Sequence, residues 1–269
     1  MEMRQWKRIL VPYEQVVEEL KVKFRSIRNE YRLLDEYSPI EFVTGRVKTI
    51  SSIIEKAKKK NIPLEDVEEQ IEDIAGIRIM CQFVGDIYKV VEIIRNRDGK
   101  DLFIIEERDY IEHMKRSGYR SFHMIIKYPL QTAFGEKIVF AEIQIRTLAM
   151  NFWATIEHSL RYKYKKNMPK HIEERISKAA EAAYLLDQEM AAIREEVMKA
   201  QKQFQIESNV IADIFEGIKG LTNSSNPKEM NELYETFWQL WEDGDVDELQ
   251  EFSRKIDMLA EVNGTQQLL

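Results

Sequence analysis

The sequence predicts an α+β protein, a mixed β-sheet flanked by helices with a helical C-terminal extension. Two observations predict it. Apolar residues recur every three or four positions toward both ends of the chain and alternate with polar ones through its middle. The resulting order of elements implies a sheet packed against helices contributed by both chain ends.

Taken in order, Val16, Leu20, Phe24, Ile27, Tyr31 and Leu34 predict a helix over 14–36. Lys21, Arg25, Arg28 and Arg32 share that spacing and form a basic stripe on the face opposite the apolar seam. Residues 49–60 predict a second helix, with Thr49 or Ser51 as N-cap and a stop before Pro63. Pro63 then opens a third, acidic helix reaching Glu72. Ile77, Ile79, Cys81 and Phe83 alternate with Arg78, Met80 and Gln82, the period of a strand. Ile87, Val90, Val91 and Ile94 predict a helix over 86–96, and strands follow at 102–108, 119–128 and 137–146. The polar loop Asp109–Gly118 carries Lys115 and Arg116. Helices resume at 147–164 and 170–204.

Gly217–Pro227 supplies Gly, Asn, Ser and Pro in close succession and marks a boundary. Beyond it, 228–260 reads as two acidic helices broken at Asp243–Asp245, with Phe237, Trp238 and Trp241 as packing residues or a partner-binding face. The expected organisation is a domain over 1–204 and an acidic helical extension over 205–269.

With 269 residues, 44% hydrophobic and 32% charged, the chain can build a core only beneath heavily charged surfaces. No apolar run approaches the length of a membrane span, and the first residues lack the pattern of a secretory signal. Cys81 is the single cysteine, which excludes an internal disulfide and fits a cytoplasmic protein. The net charge of −7 is uneven: residues 204–269 carry −10, leaving +3 on residues 1–203. Arg46, Lys48, Lys56, Lys58, Lys59 and Lys60 crowd one short stretch, a pattern suited to polyphosphate rather than to a long duplex.

Three constellations can carry chemistry. In the first, Ser52, Lys56 and Lys59 stand at i, i+4 and i+7 after Gly45-Arg46-Val47-Lys48. A hydroxyl and two ammonium groups on one helical face, with Arg46 and Lys48 near, can bind consecutive phosphates. In the second, Asp73 precedes a strand, while Glu142, Gln144 and Arg146 alternate with Ile143 and Ile145 in another. Three polar side chains on one strand face need water, a partner or a ligand, because unpaired burial is unfavourable. Two converging carboxylates could hold Mg²⁺; salt bridges to Arg78 and Arg146 are the structural alternative. In the third, Tyr119, Ser121 and His123 of Gly118–His123 would share a strand face, near Asn151 and His158. An aromatic ring can stack on a base, and an asparagine can read its edge.

The runs EFVTGRVK (41–48), DIAGIRIMCQF (73–83), GYRSFH (118–123) and AEIQIRTLAMNFWATIEH (141–158) closely resemble the RelA/SpoT homologue family of ppGpp and pppGpp synthetases. The resemblance spans roughly residues 5–204 and points to the small form, without hydrolase or regulatory domains. It implies a nucleotidyltransferase-like synthetase fold and transfer of pyrophosphate from ATP to GDP or GTP. By motif, it implies that Arg46 and Arg78 sandwich adenine and that Lys48, Ser52, Lys56 and Lys59 hold the ATP phosphates. Asp73 and Glu142 would bind Mg²⁺, with Glu142 also the base for the ribose 3′-hydroxyl. Tyr119 would stack on guanine with Asn151 at its edge, and Lys115, His123 and Gln144 would lie near the phosphates or ribose. The resemblance further implies a homotetramer with an alarmone cleft between subunits, where Lys21, Arg25 and Arg28 meet Phe42 and Thr44 to bind pppGpp. Two other readings share the fold: a catalytically silent sensor of nucleotides or single-stranded RNA, and a template-independent nucleotidyltransferase.

Overall fold

The computed structural model describes residues 3–164, 168–221, 227–243 and 246–266. Of the expected breaks, Gly217–Pro227 and Asp243–Asp245, residues 222–226 and 244–245 lie outside the described residues, while Gly217–Leu221 and Pro227–Asp243 are helical. The chain forms two compact units, Met1–Ala191 and Ala192–Leu269.

The first unit is built on a five-stranded sheet. Its strands are β1 (Phe42–Val47), β2 (Ala75–Cys81), β3 (Phe103–Asp109), β4 (Phe122–Thr132) and β5 (Gly135–Thr147), in spatial order β1-β2-β5-β4-β3. The β2–β5 pairing is parallel and the other three are antiparallel, so the sheet is mixed, as the sequence predicts. Its helices are α1 (Met3–Leu33), α2 (Ile50–Lys60), the four-residue α3 (Val67–Gln70), α4 (Val84–Arg95), α5 (Leu148–Lys163) and the start of α6 (Lys170–Leu221).

Strand alternation divides the sheet into two unlike faces. Ile77, Ile79, Met124, Ile126, Ile143 and Ile145 are fully buried beside Val16, Leu20 and Phe24 of α1 and Ile87, Val90 and Val91 of α4. The opposite side chains, in register, are Arg46 opposite Gly76, Thr44 opposite Arg78, then Glu142, Gln144 and His123. Burial of the first face therefore fixes which polar groups share the second, because a one-residue slip would exchange them.

Three boundaries in this unit differ from expectation. Helix α1 begins at Met3, not 14, and passes through Pro12. Burial of Trp6, Tyr13, Val16 and Val17 holds both sides of the proline in one helix despite the missing amide proton. The expected third helix is a 3₁₀ turn, Leu64–Asp66, leading to α3, and Pro63 stands before it in extended conformation. Strand β4 starts at Phe122, not 119, because Gly118 at φ +83° turns the chain just before it. Tyr119 and Ser121 are therefore not strand residues, although Tyr119 still reaches His123.

Helix α6 continues past 204 to Leu221. In the second unit, Ile214, Ile218 and Leu221 close a separate core with Phe237 of α7 (Pro227–Asp243) and Leu249, Phe252 and Ile256 of α8 (Val246–Gln266). Phe237 is a packing residue as expected, but Trp238 and Trp241 remain 54% and 43% exposed. Among the described residues, no helix is long and apolar enough to cross a membrane.

Candidate active site

The polar face of the sheet opens into a cavity of about 200 Å³ lined by Thr44, Arg46, Lys48, Asp73, Arg78, Glu142 and Gln144. Lys48 arrives directly after β1, its backbone N–H donating to the Ile74 carbonyl. Helix α2 starts two residues later, capped by Thr49, whose Oγ1 accepts from the Ser52 amide at 3.3 Å. This chain path sets Lys48 and, further along α2, Lys56 against Asp73. Their Nζ atoms lie 2.7 and 2.8 Å from Asp73 Oδ2. Burial pushes the Asp73 carboxyl up, but the two lysine hydrogen bonds and charges outweigh it and hold it below its ordinary value. Both lysines use one oxygen. The other, Oδ1, is buried without a hydrogen-bond partner among the described residues.

Glu142 is held at both oxygens. His123 Nδ1 lies 2.8 Å from Oε1, and Gln144 Nε2 donates to Oε2 at 2.7 Å. Burial again pushes the carboxyl up, and the His123 and Gln144 hydrogen bonds bring it below its ordinary value. Burial lowers His123 from its ordinary value in spite of the Glu142 carboxylate beside Nδ1. Neither carboxylate is paired with Arg78 or Arg146 among the described ion pairs, so the structural alternative is not the one this fold uses.

The arginines gather around Gln144 instead. Its Oε1 accepts from Arg78 Nε at 3.2 Å and from Arg146 Nη2 at 2.7 Å. Burial, with the nearby charges of Arg146 and Arg46, lowers Arg78 from its ordinary value. Cations crowd here with few anions to meet them.

Beside Glu142, the Tyr119 hydroxyl lies 2.7 Å from His123 Nε2 and accepts from Arg146 Nη2. Lys115 Nζ sits 5.0 Å from the centre of the Tyr119 ring and 4.1 Å from that of Tyr110. Tyr110 packs edge-on against Tyr119 and His123. Sequence reasoning misses Tyr110, which sits in a polar loop with no periodicity to single it out. It places Arg146 on this face but pairs it with a carboxylate, whereas its Nη2 donates to Tyr119 and Gln144.

Gly118 is the joint that delivers Tyr119. A Cβ there would meet Ala180 Cβ at 2.5 Å, and φ is +83°. Gly118→Ala is expected to destabilise the protein by about 1–3 kcal/mol, since overpacking and left-handed strain act together. A denaturant midpoint equal to wild type would contradict this.

The other predicted residues fall as follows. Ser52 is half-buried in the first turn of α2, whereas Lys59 is exposed near its end. Asn151 is half-buried in the first turn of α5. The basic stripe does not oppose the apolar seam of α1; it flanks it. Arg25 Nη2 and Arg28 Nη1 donate to the Val43 and Glu41 carbonyls at 3.4 and 2.9 Å. Strand β1 is a sheet edge, and its outward carbonyls draw the guanidinium groups inward. Lys21 lies along the same edge beside Gly45, with Nζ 2.7 Å from Glu18. Phe42 is 37% exposed, and Thr44 is exposed next to them.

Comparison with known proteins gives this geometry its context. A family model described as a region found in RelA / SpoT proteins matches residues 45–167. The chain is 58% identical over 204 residues to GTP pyrophosphokinase YjbM of Bacillus subtilis, covering 76% of this chain and 95% of that protein. It also matches the crystal structure of small alarmone synthetase 1 from Bacillus subtilis bound to its product pppGpp. There the TM-score is 0.69 at 59% identity, covering 72% of this chain and 98% of that one. The same synthetase bound to AMPCPP matches with a TM-score of 0.64 at 54% identity, covering 73% and 99%.

Proposed function

From the premise that this chain belongs to the RelA/SpoT family and is a GTP pyrophosphokinase, we propose which of its residues perform the transfer. The enzyme moves a pyrophosphate group from ATP to the ribose 3′-hydroxyl of GDP or GTP and releases AMP. The observation that carries the assignment is the charge of one cavity. Arg46, Lys48 and Arg78 line it, Lys56 and Arg146 border it, and Asp73 and Glu142 are the acidic residues of its lining. A polyphosphate supplies the missing negative charge.

Lys48, Ser52, Lys56 and Lys59 bind the ATP phosphates, and Arg46 and Arg78 sandwich adenine. Tyr119 stacks on guanine, Asn151 reads its edge, and Lys115, His123 and Gln144 surround the acceptor. Asp73 and Glu142 would hold Mg²⁺, which prefers few carboxylates completed by substrate oxygens. The buried, unpartnered Oδ1 of Asp73 and the ionised Glu142 fit such an ion. Bound there, Mg²⁺ would neutralise charge on the phosphate oxygens. Glu142 accepts the proton of the 3′-hydroxyl as its oxygen bonds to the β-phosphorus. The bond from that phosphorus to the bridging oxygen breaks, and AMP leaves with the oxygen.

The test is to incubate the protein with ATP, GTP and Mg²⁺ and separate the products by anion exchange. AMP and a guanosine pentaphosphate are expected. Released pyrophosphate would indicate nucleotidyl transfer, and nucleotide binding without turnover would indicate a silent sensor. Within this reading, Tyr119→Ala is expected to raise the KM for GTP about tenfold with little effect on that for ATP, since stacking contributes ~1–3 kcal/mol per base. Equal effects on both nucleotides would make Tyr119 structural.

The enzyme is further proposed to work in the cytoplasm as a homotetramer that pppGpp activates. Lys21, Arg25, Arg28, Phe42 and Thr44 lie along one edge of the sheet, and Arg28 Nε is buried there without a partner among the described residues. Thr44 and Arg46 belong to the same strand, giving that edge a direct path to the ATP site. Light scattering is expected to find four chains, and Lys21→Ala with Arg28→Ala to remove the response to pppGpp. A monomer, or a response equal to wild type, would defeat this.

A further inference from the structure

We propose that recognition of the acceptor base is coupled to Glu142 through one hydrogen-bonded chain, Tyr119–His123–Glu142. In it the tyrosine hydroxyl and the imidazole are positioning residues for the carboxylate. The proposal rests on the assignment of Tyr119 to guanine and Glu142 to the 3′-hydroxyl.

The proton arrangement along the chain is fixed by its ends. Arg146 can only donate, and its Nη2 occupies a lone pair of the Tyr119 oxygen. At the other end the Glu142 carboxylate can only accept, so His123 Nδ1 carries the proton and Nε2, 2.7 Å from the Tyr119 oxygen, accepts that hydroxyl's hydrogen. A neutral imidazole accepting at Nε2 carries its proton on Nδ1, which points at Glu142 Oε1 at 2.8 Å. Gln144 Nε2 holds the second oxygen at 2.7 Å while its own Oε1 accepts from Arg146. Arg146 thus anchors both branches that end on the two oxygens of Glu142. A single set of donors and acceptors satisfies every member.

The chain is also sterically braced. His123 is 6% exposed, and the Tyr110 ring centre lies 5.1 Å from that of His123 and 6.1 Å from that of Tyr119. A purine stacked on Tyr119 fixes the ring plane and with it the hydroxyl, the imidazole and the carboxylate. One side chain therefore does two separable things: its face binds, and its hydroxyl positions.

Tyr119→Phe separates them, because phenylalanine keeps the face and loses the hydroxyl. Steady-state kinetics should show the KM for GTP within about twofold of wild type and kcat reduced about 10²-fold, the scale that a ~1 Å misplacement of a reacting group produces. His123→Gln should lower kcat similarly, and the double variant should lose little more, since the chain is already broken. Unchanged ATP KM values and circular dichroism spectra confirm folding. A wild-type kcat in Tyr119→Phe, or additive losses in the double variant, overturns the coupling. Tyr119→Ala reports on the underlying assignment: an unchanged GTP KM there removes guanine from Tyr119, whatever the phenylalanine variant does.

Discussion

Glu142→Gln is expected to lower kcat by ~10³-fold or more while leaving the fold intact, because general-base and electrostatic contributions are lost together. Each Glu142 oxygen accepts one hydrogen bond, from His123 and from Gln144. The glutamine amide nitrogen can accept neither, so one donor loses its acceptor. That costs about 1–3 kcal/mol of stability, far less than the catalytic effect. Under the proposed assignment, the charge that would receive the 3′-hydroxyl proton disappears altogether. Single-turnover rates at saturating nucleotide, measured beside circular dichroism, check this. Turnover within tenfold of wild type would remove Glu142 from the chemistry.

Asp73→Asn is expected to reduce kcat/KM for ATP by ~10²–10³-fold, comparable to losing one preorganised charge in a water-poor site. Asp73 gathers Lys48 and Lys56 on a single oxygen. Without the carboxylate the two ammonium groups repel each other and leave their positions for the phosphates. The unpartnered Oδ1, proposed as a ligand of Mg²⁺, is lost at the same step. Raising Mg²⁺ should recover part of the activity if Asp73 binds the ion, and none if it only spaces the lysines. Full activity at ordinary Mg²⁺ would contradict both roles.

Much of this site is legible in the amino-acid sequence. The alternation of Glu142, Gln144 and Arg146 with two isoleucines marks a strand with a polar face, because successive strand side chains point to opposite sides. Asp73 stands at the foot of another strand, and β2 does pair with β5 to bring both carboxylates into one cavity. What stays hidden depends on long-range packing. Nothing local says that Lys48 and Lys56 choose Asp73, or that Arg25 and Arg28 turn toward an edge strand formed ten or more residues later. The apolar spacing starts the first helix at 14, after Pro12, yet burial on both sides of the proline carries α1 through it. Alternation alone puts Tyr119 on a strand, but Gly118 delivers it to His123 from outside the sheet. Helix α6 conceals the division of the chain. The Ala- and Glu-rich run reads as a helix to 204, whereas α6 continues to Leu221 and the compact units divide between Ala191 and Ala192 inside it.

The most direct measurement is a crystal structure of the protein with a non-hydrolysable ATP analogue and Mn²⁺, read by anomalous scattering. The expected peak lies within coordinating distance of Asp73 Oδ1 and Glu142, with the analogue's phosphates on Lys48 and Lys56. An analogue bound in that cavity with no peak at either carboxylate, or phosphates seated away from both lysines, would contradict the assignment.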